Sequence, residues 1–318
     1  MEILKVIFLL ILGLATLIFA SDVFVDAASS LAIRLKVPKM LIALTIAAFG
    51  TCAPELAISF NSISSGNAEM TLANVIGSCI VNILLIVGIA AVVKPIKVKE
   101  ETIKKELPLL LMITIAFFIL LNDSIFFRDV DNGLTRVDAL MLICWFAYFM
   151  YYIFSVLKAH KKEREKNAKY SLLTSILYII ITLVLIVISS DLVVDNAVIL
   201  AEKIGISQKI IAMTIIVIGT SLPELIMTVT SARKGEFDMA IGNIIGTNIF
   251  NICIVLGLPI LIYGGFTSNA FSIVDSIIVL VAALVFFIFG KSDKVLTRRE
   301  GILMIAVFTL YYIYMFIS

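Results

Sequence analysis

The sequence predicts an all-α polytopic membrane protein, with ten transmembrane helices arranged as two inverted five-helix repeats. Three observations lead there. The 318 residues are 61% hydrophobic and 15% charged, with a mean hydropathy of +1.13, whereas a soluble domain carries about 25% charged residues. Apolar runs of roughly 20 residues recur, the length that crosses about 30 Å of hydrocarbon, and they lack the strict alternation of an outer-membrane barrel. Finally, part of the first half of the chain aligns with the second half without a gap.

Helices are expected at approximately 3–33, 39–64, 70–93, 103–121, 134–157, 171–202, 208–232, 239–263, 270–290 and 299–317. The first and sixth exceed 30 residues, so they tilt or overhang the bilayer. The run from Ile3 to Ala20 has no convincing cleavage site before Ser21 and reads as a retained helix rather than a signal peptide. Orientation follows from the basic residues. Five loops hold 20 of the 25 Lys and Arg: the loops around Arg34–Lys39, Lys94–Lys105, Lys158–Lys169, Arg233–Lys234 and Lys291–Arg299. All five fall on one side of a ten-helix layout, which the positive-inside rule makes cytoplasmic. Both termini are then extracellular, and the chain is expected in the cell membrane. The loop at 158–170 is too short to hold a regulatory domain.

The repeat has an offset of 169 residues, and 26 of the 68 positions from Ser21 to Gly88 are identical to their partners. Ser21-Asp22 falls on Ser190-Asp191, Asp26 on Asp195, Pro54-Glu55-Leu56 on Pro223-Glu224-Leu225, Asn74 on Asn243, and Asn82 on Asn251. Apolar composition alone does not align those residues. The units are 1–157 and 171–318, joined by the basic loop 158–170. Five helices per unit is an odd number, so the second unit enters from the opposite face. Inverted repeats of this kind are common in secondary transporters, with the site near the midplane where the halves meet.

Two stretches carry the chemistry: Gly50-Thr51-Cys52-Ala53-Pro54-Glu55 and Gly219-Thr220-Ser221-Leu222-Pro223-Glu224. An ionisable residue at membrane depth costs about 2.5 kcal/mol or more and marks function by default. Pro54 has no N–H, so the carbonyl of Gly50 loses its helical partner and the turn to Ala53 is disturbed. Such backbone is tolerated at depth only where it is buried in protein or lines a cavity. Helix three adds Asn74, Ser78 and Asn82 at spacings of four, and helix eight adds Asn243, Thr247 and Asn251. Carboxylate, carbonyl, hydroxyl and amide oxygens suit hard cations such as Ca²⁺. Transition metals favour thiolate or imidazole. The only histidine, His160, lies in the basic loop, and Cys52, Cys79, Cys144 and Cys253 show no metal-type pairing. Two carboxylates are neutralised by one Ca²⁺, by two Na⁺ or by two protons.

With these motifs the chain resembles the sodium/calcium exchangers of the cation/Ca²⁺ exchanger superfamily. The resemblance rests on Ala43–Gly88 and Ala212–Gly257, and extends through the helix layout to the whole chain. It implies an antiporter that exports Ca²⁺ against entering Na⁺ by alternating access, with helices one and six sliding over a core of helices two, three, seven and eight. It implies that Glu55 and Glu224 bind Ca²⁺ with the carbonyls of Thr51 and Thr220. Na⁺ would use the same carboxylates, the carbonyls of Ala48 and Val217, and the side chains of Ser78, Ser221 and Thr247. Asn82 and Asn251 would complete the centre.

Cys52 departs from the family's usual serine, and a thiol is a poor Na⁺ ligand. Asn251 stands where K⁺-dependent relatives carry an acid, which points to K⁺ independence. The Gly-Asn-Ala-x-Glu type motif of proton/calcium exchangers is absent, which favours Na⁺, with H⁺-coupled Ca²⁺ exchange as the alternative. A cation channel is the rival from another class. An enzyme is disfavoured because no nucleophile, zinc motif or phosphate loop accompanies the glutamates. Ca²⁺ and Na⁺ are thus expected as transported substrates, in a lipid bilayer, with no permanent cofactor, nucleic acid or obligate protein partner.

Overall fold

The computed structural model describes residues 2–126, 132–159, 168–205, 217–267 and 273–317. Helices dominate: α1 (Glu2–Leu35), α2 (Lys39–Thr51), α3 (Ala53–Ser64), α4 (Ala68–Val93), α5 (Glu106–Leu121), α6 (Arg136–Ala159), α7 (Leu172–Lys203), α8 (Val217–Thr220), α9 (Leu222–Lys234), α10 (Phe237–Tyr263), α11 (Ile273–Ser292) and α12 (Arg298–Ile317). Among the described residues, six helices are long and apolar enough to cross a membrane, and α2 with α3 makes a seventh if that bent pair is one span. Expected helix two is broken in the structure, because Pro54 cannot continue the ladder and the chain bends by 47° between α2 and α3. The helix expected from 103 instead begins at Glu106, after a separate turn at Glu100–Lys104. His160, most of the 158–170 loop, and the 208–216 start of expected helix seven lie outside the described residues.

Local chemistry fixes several helix ends. Thr135 and Thr297 open α6 and α12, each with its N–H and hydroxyl donating to an acid three residues on, Asp138 and Glu300, at 2.7 Å. This local pairing satisfies backbone donors that a helix start leaves free. Gly235 ends α9 with φ +80°, a left-handed cap that glycine takes without a Cβ penalty.

The helices sort into centre and rim. The apolar windows of α4 and α10 are 78% and 83% buried, against 17–33% for α1, α6, α7 and α11. So α4 and α10 form the core, and the other four present apolar flanks outward. A Cβ on Gly242 would meet Met40 and Ala43, and one on Gly246 would sit 2.6 Å from the Leu44 carbonyl. The order of these contacts makes α2 and α10 run parallel at close approach. The long helices α1 and α7 pack antiparallel: Gly13 lies against Val193, while Asp26 meets Lys169 just before α7.

Two short clasps tie the halves at opposite ends. Strand β1 (Ile96–Lys97) pairs antiparallel with β4 (Val295–Leu296), and β2 (Gly133–Leu134) with β3 (Phe266–Thr267). Ile96 faces Leu296 and Lys97 faces Val295 in one clasp, and Gly133 faces Thr267 and Leu134 faces Phe266 in the other. The basic loops gather at the β1–β4 end. Lys39 pairs with Glu236 (3.0 Å), Lys99 with Asp238 (2.7 Å) and Lys294 with Glu100 (3.2 Å), and Lys94 donates to the Arg233 carbonyl (3.0 Å). This end is called the basic face below.

Candidate functional site

Both Pro-Glu stretches sit at a helix break. Cys52 (φ −80°, ψ 1°) separates α2 from α3, and Ser221 (φ −89°, ψ 10°) separates α8 from α9. Each proline falls in the first turn of the following half-helix, where its missing N–H costs nothing. Glu55 and Glu224 occupy those same first turns, at the positive end of the half-helix dipole, which favours a carboxylate. The preceding half-helices end with their carbonyls towards the breaks, the negative end that favours cations.

The two carboxylates are near neighbours. Glu55 feels Glu224 and Asp191, while Cys52 lies within range of both glutamates and of Cys79. The Thr51 hydroxyl stands beside Glu224 and donates to the Ala48 carbonyl at 3.3 Å. Thus a residue of the first stretch adjoins the glutamate of the second. The Ala48 carbonyl also accepts from Cys52 N–H at 3.1 Å, so both its lone pairs have partners. Cys52 Sγ points to the Thr247 carbonyl at 3.9 Å.

Helices α4 and α10 complete the surroundings. Each leaves α-helical geometry for one π-helical stretch, Val81–Ile86 and Asn251–Leu256. These contain Asn82 and Asn251, and π-bulges recur at functional sites. The Val81–Ile86 stretch packs on α9 and the Asn251–Leu256 stretch on α3, so each amide-bearing segment adjoins the half-helix that carries one glutamate. A third π stretch, Ala43–Ala47, lies in α2.

Unpaired polar atoms mark the centre. Both oxygens of Glu55 and of Glu224, both amide atoms of Asn82 and of Asn251, and the hydroxyls of Ser78, Ser221 and Thr247 are buried without a hydrogen-bond partner. All seven residues are at most 1% exposed. A buried polar group without a partner costs about 1–3 kcal/mol, more when charged, so such a concentration needs an explanation. Among the described residues, no three His, Cys, Asp or Glu side chains converge on a metal position. The arrangement offers two carboxylates surrounded by neutral oxygens, which suits exchangeable hard cations better than a tightly held transition metal.

Of the other expected residues, Val217 is the first described residue of α8, and Asn243 donates to Thr228 Oγ1 at 3.2 Å, leaving its own oxygen unpaired. Sequence reasoning used Ser21 only to align the repeat and did not single out Ser59 or Asn248, yet all three carry unpaired buried atoms. Asn248 falls on Cys79 in the repeat, and that mismatch was its only sequence signal.

The apolar spans, the two broken helices and the buried polar centre define a multi-pass membrane protein whose reactive groups lie at depth. The sequence profile of the sodium/calcium exchanger protein family matches residues 5–155 and 174–317. The chain therefore belongs to the sodium/calcium exchanger family, a family of ion transporters. It is 35% identical to "Putative antiporter CaxA" of Alkalimonas amylolytica, covering 98% of each chain. It is 29% identical to "Sodium/calcium exchanger MaX1" of Methanosarcina acetivorans, covering 97% of each. Among solved structures, the sodium-calcium exchanger NCX_Mj soaked with zero Na⁺ and Ca²⁺ superposes with a TM-score of 0.83 at 27% identity, covering 98% of this chain and 99% of the other.

Proposed function

We propose that the chain is a secondary antiporter that carries Ca²⁺ out of the cytoplasm in exchange for entering Na⁺. Its ten spans form two inverted repeats, 1–157 and 171–318, around one site. The places of the two clasps in the chain support the inversion: exchanging the halves turns the β1–β4 pair into the β3–β2 pair at the other end. By the positive-inside rule the basic face is cytoplasmic and both termini are outside.

The observation that carries the ion-exchange reading is the buried set of unpaired oxygens on Glu55, Glu224, Ser78, Asn82, Ser221, Thr247 and Asn251. Two carboxylates at depth are costly when bare. One Ca²⁺ or two Na⁺ remove the net charge, so loaded forms cross between access states and the empty form does not. That rule couples the two ions. Glu55 and Glu224 anchor Ca²⁺ with the Thr51 and Thr220 carbonyls, and Na⁺ draws on the same carboxylates with the Ser78, Ser221 and Thr247 hydroxyls. The Val217 carbonyl assists, the Ala48 carbonyl joins only by giving up the Thr51 hydroxyl, and Asn82 and Asn251 close the centre. Cys52 contributes no hard oxygen.

The test is ⁴⁵Ca²⁺ uptake into proteoliposomes under imposed Na⁺, K⁺ or H⁺ gradients. An outward Na⁺ gradient alone is expected to drive uptake. Uptake driven by a pH gradient in Na⁺-free buffer would replace the reading with proton-coupled exchange.

A further inference from the structure

The two long helices that flank the site carry the same acids but meet different partners. On α1, Asp22 and Asp26 face the basic end. Lys234, at the end of α9, pairs with Asp26 at 2.6 Å and with Asp22 at 2.9 Å, and also donates to the Asp22 carbonyl at 2.7 Å. Lys169, in the segment leading into α7, pairs with Asp26 from the other side at 2.5 Å. Asp26 and Lys234 are only 21% and 23% exposed, so water screens this pair less than it would a surface pair. A second tie lies alongside: Lys39 binds Glu236 at 3.0 Å, and Ser29 donates to the same carboxylate at 3.3 Å.

Among the described residues, the repeat makes this arrangement one-sided. Asp191 and Asp195 of α7 correspond to Asp22 and Asp26; Asp195 is exposed where Asp26 is half-buried, while Asp191 and Asp22 are both exposed. Ser65 stands where the second half has Lys234, and Asn67 where it has Glu236. Helix α7 instead lies over both breaks: Leu183 covers Gly50, Val194 covers Gly219, and Ser190 Oγ donates to the Gly219 carbonyl at 3.4 Å.

From this we infer that Asp26 and Lys234, joined by Asp22 and Lys169, form a charge latch that holds the basic end of α1 against α9. The latch sets which side of the site opens. The inference rests on the alternating-access reading above. Because α1 and α7 pack along each other, releasing one end of the pair loosens that end and tightens the other. Lys234 and Asp26 are positioning residues: they touch no ion, and they set the balance between the two access states. A plain structural staple would also tie α1 to α9, but its loss would loosen only the basic end.

Amide hydrogen exchange of the full-length protein in lipid nanodiscs separates the two. In Lys234→Gln and in Asp26→Asn, exchange over 22–34 of α1 is expected to quicken about fivefold, while exchange over 191–203 of α7 slows. Lys234→Arg, which keeps the charge, is expected to match the parent in both segments. Three results would each overturn the latch: unchanged exchange at both ends, quickening at the basic end alone, or Lys234→Arg behaving like Lys234→Gln. The measurement counts no ions, so a failed latch leaves the assignment of Na⁺ and Ca²⁺ by the transport assay untouched.

Discussion

The two helix breaks differ by one atom at their centres, the sulfur of Cys52 against the oxygen of Ser221. Around Cys52 and around Ser221 the chain repeats proline, glutamate and threonine, with matching asparagines on α4 and α10. Yet Ser221 keeps an unpaired buried hydroxyl, whereas the Cys52 thiol is directed at the Thr247 carbonyl. A similar inequality recurs outside the site, where Asp26 is paired twice and Asp195 is exposed. The halves share their buried carboxylates and amides and diverge at this one hydroxyl and at the pairing of the outlying acids.

The largest effect tests the shared part. Glu55→Gln and Glu224→Gln should each reduce Na⁺-driven Ca²⁺ uptake by about a hundredfold or more, as loss of a charged ligand from a buried site does. If one variant transports at the parent rate, the two glutamates are not halves of one site. Next come the amides. Asn82→Ala and Asn251→Ala should lower Ca²⁺ affinity by similar factors, about tenfold each on removing one neutral ligand. A large inequality between them, read by calorimetric titration, would move the site towards one repeat.

A smaller effect probes the divergent part. Cys52→Ser restores a hydroxyl and should improve the apparent Na⁺ affinity by about threefold, and Ser221→Cys should weaken it by a like factor, the scale of one modest hydrogen-bond-type contact. Equal Na⁺ dependence in both variants and the parent would show that neither position faces Na⁺. The smallest effect lies on the basic face. Lys104 and Lys294 hold the Glu100 carboxyl below its ordinary value. Its stabilisation is therefore present above the ordinary carboxylate pKa and fades as pH falls through the lowered value. Glu100→Gln should lower the unfolding temperature slightly near neutrality and not at all in strong acid, since exposed pairs contribute little.

Much of this was legible in the chain. Hydropathy and length placed six of the ten expected spans among the described residues, or seven with the bent pair, because a bilayer demands long apolar runs with internally paired backbone. The 169-residue offset paired Glu55 with Glu224 and Asn82 with Asn251, and Pro54 announced the break at Cys52. Those features follow from local rules that each segment obeys on its own. What the tertiary structure decided depends on neighbours. Whether α4 and α10 widen into π turns at Asn82 and Asn251 is settled by packing against α9 and α3, which no periodicity encodes. Which buried polar atoms go unpaired depends on every nearby donor and acceptor, so Ser59 and Asn248 gave little sign of themselves. The basic residues told only of sidedness in the sequence. That Lys234 meets Asp26, 208 residues earlier, comes from folding α9 back against α1, and long-range charge pairs of that kind exist only once the helices are placed.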